Sequence, residues 1–329
     1  MLVAARKPST RRSYAAKWRS FLRFVEEHPL QPGQSPITQV LLFLNDLFRK
    51  GLKPQSLKVY LAALSAHMPK VDGCTVFSHP LSRQFLKGSM NLAPPVSRPP
   101  PSWSLSVVLK SLLGAPFEPM ATTDLRLLTW KTVLLVAVTS ARRASELCAL
   151  RMDPPYLAFH KDKVVLRPDP SFLPKVVSEF HVNQDIVLPA FFQSPSTPLE
   201  RKLHALDVRR ALAFYKDRTA DVRRSPRLFV CYAGPNAGKP VSSQRLASWI
   251  VSAIELAYQL QNLTLDAPVR AHSTSAISTS TAFQRGTSVT DICRAATWSS
   301  PSTFVKHYRL DTRARADCAF GRTVLSAIL

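Results

Sequence analysis

The sequence predicts a mainly α-helical protein with one small antiparallel β-sheet, divided between two domains. Apolar residues recur at three- and four-residue intervals along most of the chain, as in helices that bury one face. Three short runs of apolar and β-branched residues, 163–166, 175–178 and 185–188, are separated by proline-rich or polar turns and predict the strands. A chain of 329 residues exceeds the usual size of one hydrophobic core, which favours two domains.

Residues 1–92 predict a compact domain of four helices. The second helix is expected to begin at Ser35 and Pro36, a capping residue followed by proline, and to end at Gly51. The apolar stripes of the other helices are formed by Tyr14, Trp18, Phe21, Leu22 and Val25; by Leu57, Tyr60, Leu61 and Leu64; and by Leu81, Phe85, Leu86 and Met90. Residues 93–103 are rich in proline, which favours an extended chain, and predict an interdomain linker.

Residues 104–329 predict a second, larger domain. Its helical patterns cover residues 105–113, 124–138, 203–217 and 242–260, and several short helices follow from His272 to the C-terminus. The pattern at 124–138 is apolar on most faces, which is typical of a helix buried in a large core. The three predicted strands lie between this helix and the next one along the chain.

Basic residues far outnumber acidic ones. The formal net charge of +23 and the pI near 10.4 predict a polyanionic partner, because lysine and arginine side chains that neutralise phosphates release condensed counterions. Nucleic acid is the first candidate. The longest strongly apolar run, 133–138, is far shorter than the roughly 20 residues that span a bilayer, and no signal peptide is recognisable. A membrane partner is therefore not indicated.

The cysteines and two basic clusters bear on the compartment. The five cysteines are scattered without a CxxC pair, which is typical of reduced intracellular thiols. A nuclear location is expected from the basic clusters, although each could equally well contact phosphate. The clusters are Arg6-Lys7 with Arg11-Arg12, and Arg223-Arg224 with Arg227.

Candidate catalytic residues lie in two segments far apart in the sequence. Residues 139–147 (TSARRASEL) directly follow the buried helix and place Arg143 at a turn where another helix begins. Taken alone, this arginine is better explained as a surface arginine paired with Glu146, since exposed ion pairs are common. Near the other end, residues 270–276 (RAHSTSA) precede Trp298, and Tyr308 follows about ten positions later.

The order of these residues resembles that of the tyrosine recombinase and phage-type integrase family. That family has an arginine before a Ser-Glu-Leu sequence, a lysine on a β-hairpin, a His-x-x-Arg box, a His or Trp, and then a tyrosine. Residues 298–304 (WSSPSTF) are most similar to recombinases encoded by DIRS-type retrotransposons, and residues 9–14 (STRRSY) resemble the start of the core-binding domain. The resemblance covers essentially the whole chain. It implies a SAM-like helical core-binding domain followed by a tyrosine recombinase catalytic domain.

The resemblance implies a role for each matching residue. Arg143 would hold the scissile phosphate through its planar fork of donors, and Lys175 would protonate the leaving 5′ oxygen. His272 would transfer a proton or hydrogen-bond the phosphate, and Trp298 would donate its indole N–H. Tyr308 would attack the phosphate and form a 3′-phosphotyrosyl link with a free 5′ hydroxyl. Because that link preserves the bond energy, no ATP, metal or other cofactor is expected.

Ser275 departs from the family pattern. It occupies the position of the second arginine in the His-x-x-Arg box and cannot supply a charged, bidentate contact. Loss of one donor to the transition state typically costs about 10²–10³ in rate, so impaired catalysis is expected. Arg270 and Arg285 are close in sequence and could compensate, but neither is in the matching register.

Other assignments leave alternatives open. Lys161 and Lys163 are alternatives to Lys175 as the hairpin lysine. The resemblance further implies a homo-tetramer that holds two DNA duplexes. The predicted DNA contacts outside the catalytic set are Arg11, Arg12, Lys17 and Arg270.

Two hypotheses about function follow from these residues. An active site-specific recombinase would form a covalent Tyr308–DNA species. A catalytically inactive, transposon-derived DNA-binding protein would bind DNA with a steep salt dependence and never become attached to it. A basic scaffold for protein or RNA partners leaves the ordered catalytic positions unexplained, and a preference for A-form RNA over duplex DNA would favour it.

Overall fold

The computed structural model describes residues 5–95, 101–182 and 184–307. The chain divides into two compact units, Met1–Pro99 and Pro100–Leu329. The predicted linker, residues 93–103, lies partly outside the described residues. No helix within the described ranges combines the length and the apolar character that crossing a membrane requires.

Helices build the described part of the first unit. They are α1 (Pro8–Glu27), α2 (Pro36–Arg49), α3 (Pro54–Leu64) and α4 (Pro80–Leu92). Each begins with proline, whose missing amide hydrogen removes one of the donors that have no partner within the first turn. The predicted start of α2 at Ser35 and Pro36 is confirmed, although the Ser35 side chain makes no capping hydrogen bond. The helices enclose a core that includes Phe21, Val40, Phe43, Leu44, Leu57 and Leu61.

The described part of the second unit is larger and also mainly helical. Its helices are α5 (Leu105–Ser111), α6 (Leu125–Ser140), α7 (Ala144–Cys148), α8 (Pro198–Leu203), α9 (Val208–Thr219), α10 (Ser243–Gln259), α11 (Ser273–Gln284), α12 (Val289–Ala295) and α13 (Pro301–His307). A short 3-10 helix covers His204–Leu206. The strands are β1 (Leu157–Phe159), β2 (Lys163–Leu166) and β3 (Ile186–Pro189).

Helix α6 is the centre of this unit. It packs against α9, α10 and α11, and most of its side chains are buried. This burial on nearly all faces accounts for the apolar pattern of residues 124–138. Asp124 caps the helix, because its Oδ1 accepts a hydrogen bond from the Arg126 backbone N–H at 2.8 Å.

The strands form one antiparallel sheet in the order β1-β2-β3. Val164 of β2 pairs with Phe159 of β1 and with Leu188 of β3. Val164 and Leu166 face the core, as do Ile186 and Leu188, so one face of the sheet packs on the helices. The predicted fold class, mainly helical with a small antiparallel sheet, is confirmed.

The predicted strand at residues 175–178 is wrong. These residues lie in the connection between β2 and β3, and Val176 and Val177 expose 53% and 57% of their surface. A strand needs a partner for its backbone and a buried face for its side chains, and this segment has neither. The third strand is β1, whose three residues are too few to show an alternating pattern. Lys175 therefore lies in the long connection between the antiparallel strands β2 and β3.

A buried ion cluster joins α6 to α9. The ammonium of Lys131 is fully buried, 2.6 Å from Glu118 Oε1, and donates to the Leu112 carbonyl at 2.8 Å. Arg210 donates to both oxygens of Glu118, at 3.0 and 3.2 Å. Burial lowers the pKa of Lys131 to about 8, although the Glu118 carboxylate acts in the opposite direction.

We expect Lys131→Met to change how the free energy of unfolding depends on pH. The unfolded chain keeps the lysine proton up to its ordinary pKa of 10.5, whereas the folded protein loses it at about 8. Between these values the unfolded state binds more protons, so raising the pH stabilises the native protein by up to about 1.4 kcal/mol per pH unit. The Met variant lacks this contribution.

Urea unfolding at a series of pH values above about 8 measures the difference. The stability of the wild type relative to Lys131→Met should rise with pH. Lys50→Met, which removes an exposed lysine paired with Asp46 on α2, is the matched control and should show no such trend. Parallel pH curves for wild type and Lys131→Met would contradict the prediction.

Candidate active site

The turn between α6 and α7 positions two consecutive arginines. Helix α6 ends at Ser140, and Ala141 then adopts a left-handed conformation with φ +53°. This conformation is unfavourable for residues other than glycine, so the surroundings must stabilise it. The chain next passes through Arg142 and reaches Arg143, which is the N-terminal capping residue of α7. The predicted position of Arg143, at a turn before a new helix, is confirmed.

Ser275 of α11 stabilises this turn. Its hydroxyl donates a hydrogen bond to the Ala141 carbonyl at 2.8 Å, and the side chain is buried. A buried carbonyl without a partner would be unfavourable. The residue that replaces the expected second arginine therefore holds the backbone from which Arg142 and Arg143 project.

A cleft of about 130 Å³ opens beside this turn. Arg143, Lys175 and Trp298 all line it, so three predicted catalytic residues from distant parts of the sequence meet in one place. The other polar residues of the lining are Arg142, Glu146, His181, Gln184, Thr297, Ser299 and Thr303.

The cleft carries an excess of positive charge. Arg143 Nη1 donates to Glu146 Oε1 at 3.0 Å, and Arg142 Nη1 lies 3.7 Å from the other oxygen, Oε2. Two guanidinium groups thus share one carboxylate. Burial lowers the pKa of Arg142 and so does the charge of Arg143, whereas Glu146 raises it. The sequence left open an ion pair between Arg143 and Glu146, and the structure contains it. Arg143 also lines the cleft, so the two interpretations are compatible.

Trp298 forms one wall of the cleft. Its side chain is buried, and its ring stacks on Phe304 of α13 with 6.3 Å between ring centroids. Phe304 also contacts Phe283 of α11 at 5.4 Å, so α13 is packed against the same wall. Thr303 of α13 reaches the cleft lining. The predicted nucleophile, Tyr308, follows α13 in the sequence and lies outside the described residues.

Several predicted residues do not join the described lining of the cleft. His272 is exposed at the N-terminal capping position of α11, and Arg270 is exposed in the preceding loop. Arg285 caps the other end of α11, about 15 Å along the helix axis from Ser275. Neither arginine is among the described residues that line the cleft beside Ser275.

His181 lies in the cleft, although the sequence did not indicate it. It shares the β2–β3 connection with Lys175, and its Nδ1 lies 2.7 Å from Ser178 Oγ. A lone histidine in a polar segment has no motif, and its closeness to Lys175 in the sequence was the one available signal. Lys161 lies in the β1–β2 turn and Lys163 in β2, and neither is among the lining residues that the structure describes.

A second basic surface lies on α1 in the first unit. Three exposed arginines, Arg12, Arg19 and Arg23, are spaced by seven and four residues and therefore lie on one face of the helix. Arg19 and Arg23 also border a shallow depression on this helix. Arg12 was predicted to contact DNA. Arg19 and Arg23 were not, although their spacing from Arg12 could have identified them.

The other contacts predicted on α1 lie elsewhere on the helix. The ammonium of Lys17 lies 5.1 Å from the ring centroid of Tyr60 and donates to Ser13 Oγ at 3.1 Å. The Lys17 ammonium therefore takes part in a contact between α1 and α3. Arg11 is also exposed, about 100° around the helix from Arg12.

We expect Ser275→Ala to lower the free energy of unfolding by about 1–3 kcal/mol, because the variant leaves the buried Ala141 carbonyl without its donor. Ser278→Ala is the matched control, since the Ser278 hydroxyl bonds only to carbonyls of its own helix. Ser275→Arg should destabilise the protein more strongly, because a guanidinium would enter a site that is 4% exposed. Chemical denaturation measures all three, and equal effects of Ser275→Ala and Ser278→Ala would refute the assignment.

Comparisons with known proteins identify the fold. No protein-family model matches the sequence, and no curated protein matches it. Among solved structures, the XerH site-specific recombinase bound to palindromic difH substrate, in a post-cleavage complex, has a TM-score of 0.60 and 13% identity. That match covers 94% of this chain and 78% of that chain.

Two further structures are similar over most of their length. The Tn1549 transposon integrase in complex with transposon right end DNA has a TM-score of 0.57 and 12% identity, covering 94% of this chain and 93% of that chain. A lambda integrase dimer bound to a COC′ core site has a TM-score of 0.53 and 16% identity, covering 94% and 73%. The mainly helical chain with its small antiparallel sheet therefore has the tyrosine recombinase fold.

Proposed function

We propose that this chain binds duplex DNA and cleaves and rejoins its strands through a 3′-phosphotyrosyl intermediate. The observation that supports this proposal is the convergence of Arg143, Lys175 and Trp298 on one positively charged cleft. These residues come from three separate segments, so closeness in the sequence does not explain their meeting. The shared fold with recombinases and integrases that were solved on DNA supports the same function.

In the proposed reaction, the Tyr308 oxygen attacks the phosphorus and the bond from phosphorus to the 5′ oxygen breaks. The phenolic proton passes to a base, a role that His181 can fill from within the cleft in place of His272. Lys175 supplies the proton that completes the free 5′ hydroxyl. Attack of another 5′ hydroxyl on the phosphotyrosine reverses the step, so one ester bond replaces another and no energy source is needed.

The cleft suits the charge that develops during this reaction. The phosphorus passes through a five-coordinate transition state whose oxygens carry increased negative charge. Arg143 and the indole N–H of Trp298 would donate to those oxygens, and donors already in place need no reorganisation when the charge develops. Glu146 holds the guanidinium of Arg143 in position at 3.0 Å.

A second candidate function is DNA binding without cleavage. It is favoured by the hydrogen bond from Ser275 to the Ala141 carbonyl, because that position can supply no cation to the phosphate. The chain would then still bind DNA through its basic surfaces but would not cleave or exchange strands. Covalent attachment to DNA distinguishes the two functions.

We also propose a separate role for each of the two units. The first unit acts as the core-binding domain, residues 1–92, and residues 104–329 act as the catalytic domain. Four copies act together, because exchange between two duplexes requires four strands to be cut. A DIRS-type retrotransposon origin is proposed on the similarity of residues 298–304.

A nuclear location is proposed on the N-terminal basic cluster. In the other cluster, Arg223 and Arg227 make hydrogen bonds within the second unit. Arg223 donates to Thr219 Oγ1 at 2.7 Å, and Arg227 donates to the Ala149 carbonyl at 2.9 Å. Arg11 and Arg12, in contrast, are exposed and available to a transport receptor.

We expect the protein to form covalent adducts with nicked DNA duplexes, and Tyr308→Phe to abolish them, because phenylalanine has no attacking oxygen. The adducts are measured after denaturation in detergent, as DNA that remains attached to protein. Tyr232→Phe is the matched control, since its ring packs against Trp249 at 5.1 Å and away from the cleft, and its adducts should persist. Absence of adducts with retained DNA binding would identify the non-cleaving function.

We expect the paired substitutions Arg19→Ala and Arg23→Ala to weaken binding to all duplexes and to make it less sensitive to salt. Each lost phosphate contact should reduce the slope of log K against log salt concentration by about 0.9. Fluorescence anisotropy with duplexes of unrelated sequence measures this slope. Lys50→Ala, an exposed lysine of the same unit that is paired with Asp46, is the control. An unchanged slope in the paired variant would exclude α1 as a DNA contact.

A further inference from the structure

The two arginines of the α6–α7 turn differ in their surroundings. The Arg143 side chain is 31% exposed and donates to Glu146 at 3.0 Å. The Arg142 side chain is only 7% exposed, and its Nη1 is 3.7 Å from Glu146 Oε2, which is beyond a normal hydrogen bond. Its Nε is buried without a hydrogen-bond partner. Arg142 is therefore a buried cation that contacts the cleft with donors to spare.

Such an arrangement is unfavourable unless an anion joins it. A buried guanidinium is stable when several acceptor oxygens satisfy its fork of donors. Glu146 Oε1 is bonded to Arg143, and Glu146 Oε2, which also has no hydrogen-bond partner, is 3.7 Å from Arg142 Nη1. The rest of the described cleft lining adds donors and no further carboxylate. Lys175, His181 and Trp298 all lie around the same space. The missing partner is an anion with more than one acceptor oxygen, and phosphate has this chemistry.

We infer that Arg142 is a second phosphate-binding arginine of the cleft, which acts beside Arg143. A phosphodiester has two non-bridging oxygens, so the adjacent guanidiniums can each bind one. That the phosphate belongs to DNA rests on the proposed function, whereas the binding of phosphate itself does not.

Ser275 then has a structural role beside this phosphate site. The sequence predicts a second phosphate-binding cation on α11, and in our inference Arg142 of the α6–α7 turn supplies it instead. Ser275 holds that turn through the Ala141 carbonyl, at 2.8 Å. Arg270 and Arg285 lie outside the described lining and need not be invoked.

The test is the binding of inorganic phosphate by the full chain, measured as the rise in melting temperature during a phosphate titration at constant ionic strength. A ligand at free concentration L that binds only the native state stabilises it by RT ln(1 + L/Kd), so the dependence of the melting temperature on phosphate concentration yields the dissociation constant. Arg142→Met should weaken phosphate binding about tenfold to a hundredfold, as expected for the loss of charged hydrogen bonds. Arg142→Lys should retain part of the affinity, because it keeps the charge without the planar fork.

Arg223→Met is the matched control for the loss of one partly buried arginine. The Arg223 guanidinium donates within its own unit to Thr219 and to the Leu228 carbonyl, so its removal should lower stability without changing the phosphate affinity. An equal loss of affinity in Arg142→Met and Arg223→Met would show that phosphate responds only to net charge, and would overturn the proposal.

Glu146→Gln provides an independent arm if Arg142→Met folds poorly. The glutamine keeps an oxygen acceptor that can position Arg143 and removes the negative charge that repels an entering anion, so phosphate binding should strengthen several-fold. Unchanged or weaker binding would count against the proposal. Adduct formation with nicked duplexes separates this inference from the proposed function. Loss of phosphate affinity in Arg142→Met, with no adducts in the wild type, supports the anion site and rejects the strand-cleaving reaction.

Discussion

The hydrogen bond from Ser275 to the Ala141 carbonyl joins the central helix of the second unit to the candidate site. Helix α6 is fixed by its burial among α9, α10 and α11, but the chain must turn sharply after Ser140 to begin α7. The left-handed conformation of Ala141 makes this turn and is intrinsically unfavourable. By bonding the carbonyl of that same residue, α11 stabilises the turn and fixes where Arg142 and Arg143 leave the backbone.

The second unit contains two groups of buried charge with opposite characters. Around Glu118, Lys131 and Arg210 satisfy both carboxylate oxygens, and the group is closed to further partners. Around Glu146, one oxygen is bonded to Arg143, and the other is too far from Arg142 for a hydrogen bond. The first arrangement suits a structural role. The second leaves Arg142 Nε without an acceptor, and an entering anion would supply one, as in the binding site proposed above.

The sequence predicted those parts of the fold that depend on local interactions. Helix α2 could be placed because its start and its end carry local signals at Pro36 and Gly51, and α6 because burial on all faces leaves an apolar run. Strand β1 and the loop at 175–178 could not be distinguished, since strand formation depends on which distant backbone is available for pairing. The cleft was predictable only where residues matched a known order. Arg142 and His181 match none, and their places in the cleft arise from contacts between distant segments of the fold.

The β2–β3 connection has a consequence for how the cleft can work. Its exposed apolar side chains, Leu173, Val176, Val177 and Phe180, contribute few buried contacts, so this segment has little stability of its own. Lys175 and His181 are carried by it, whereas the arginines project from the junction of packed helices. In the proposed reaction, anion binding and proton transfer therefore belong to parts of the protein with different rigidity. Substitutions in this connection would then slow proton transfer without weakening phosphate binding, and the acid–base groups could be replaced without rebuilding the anion site.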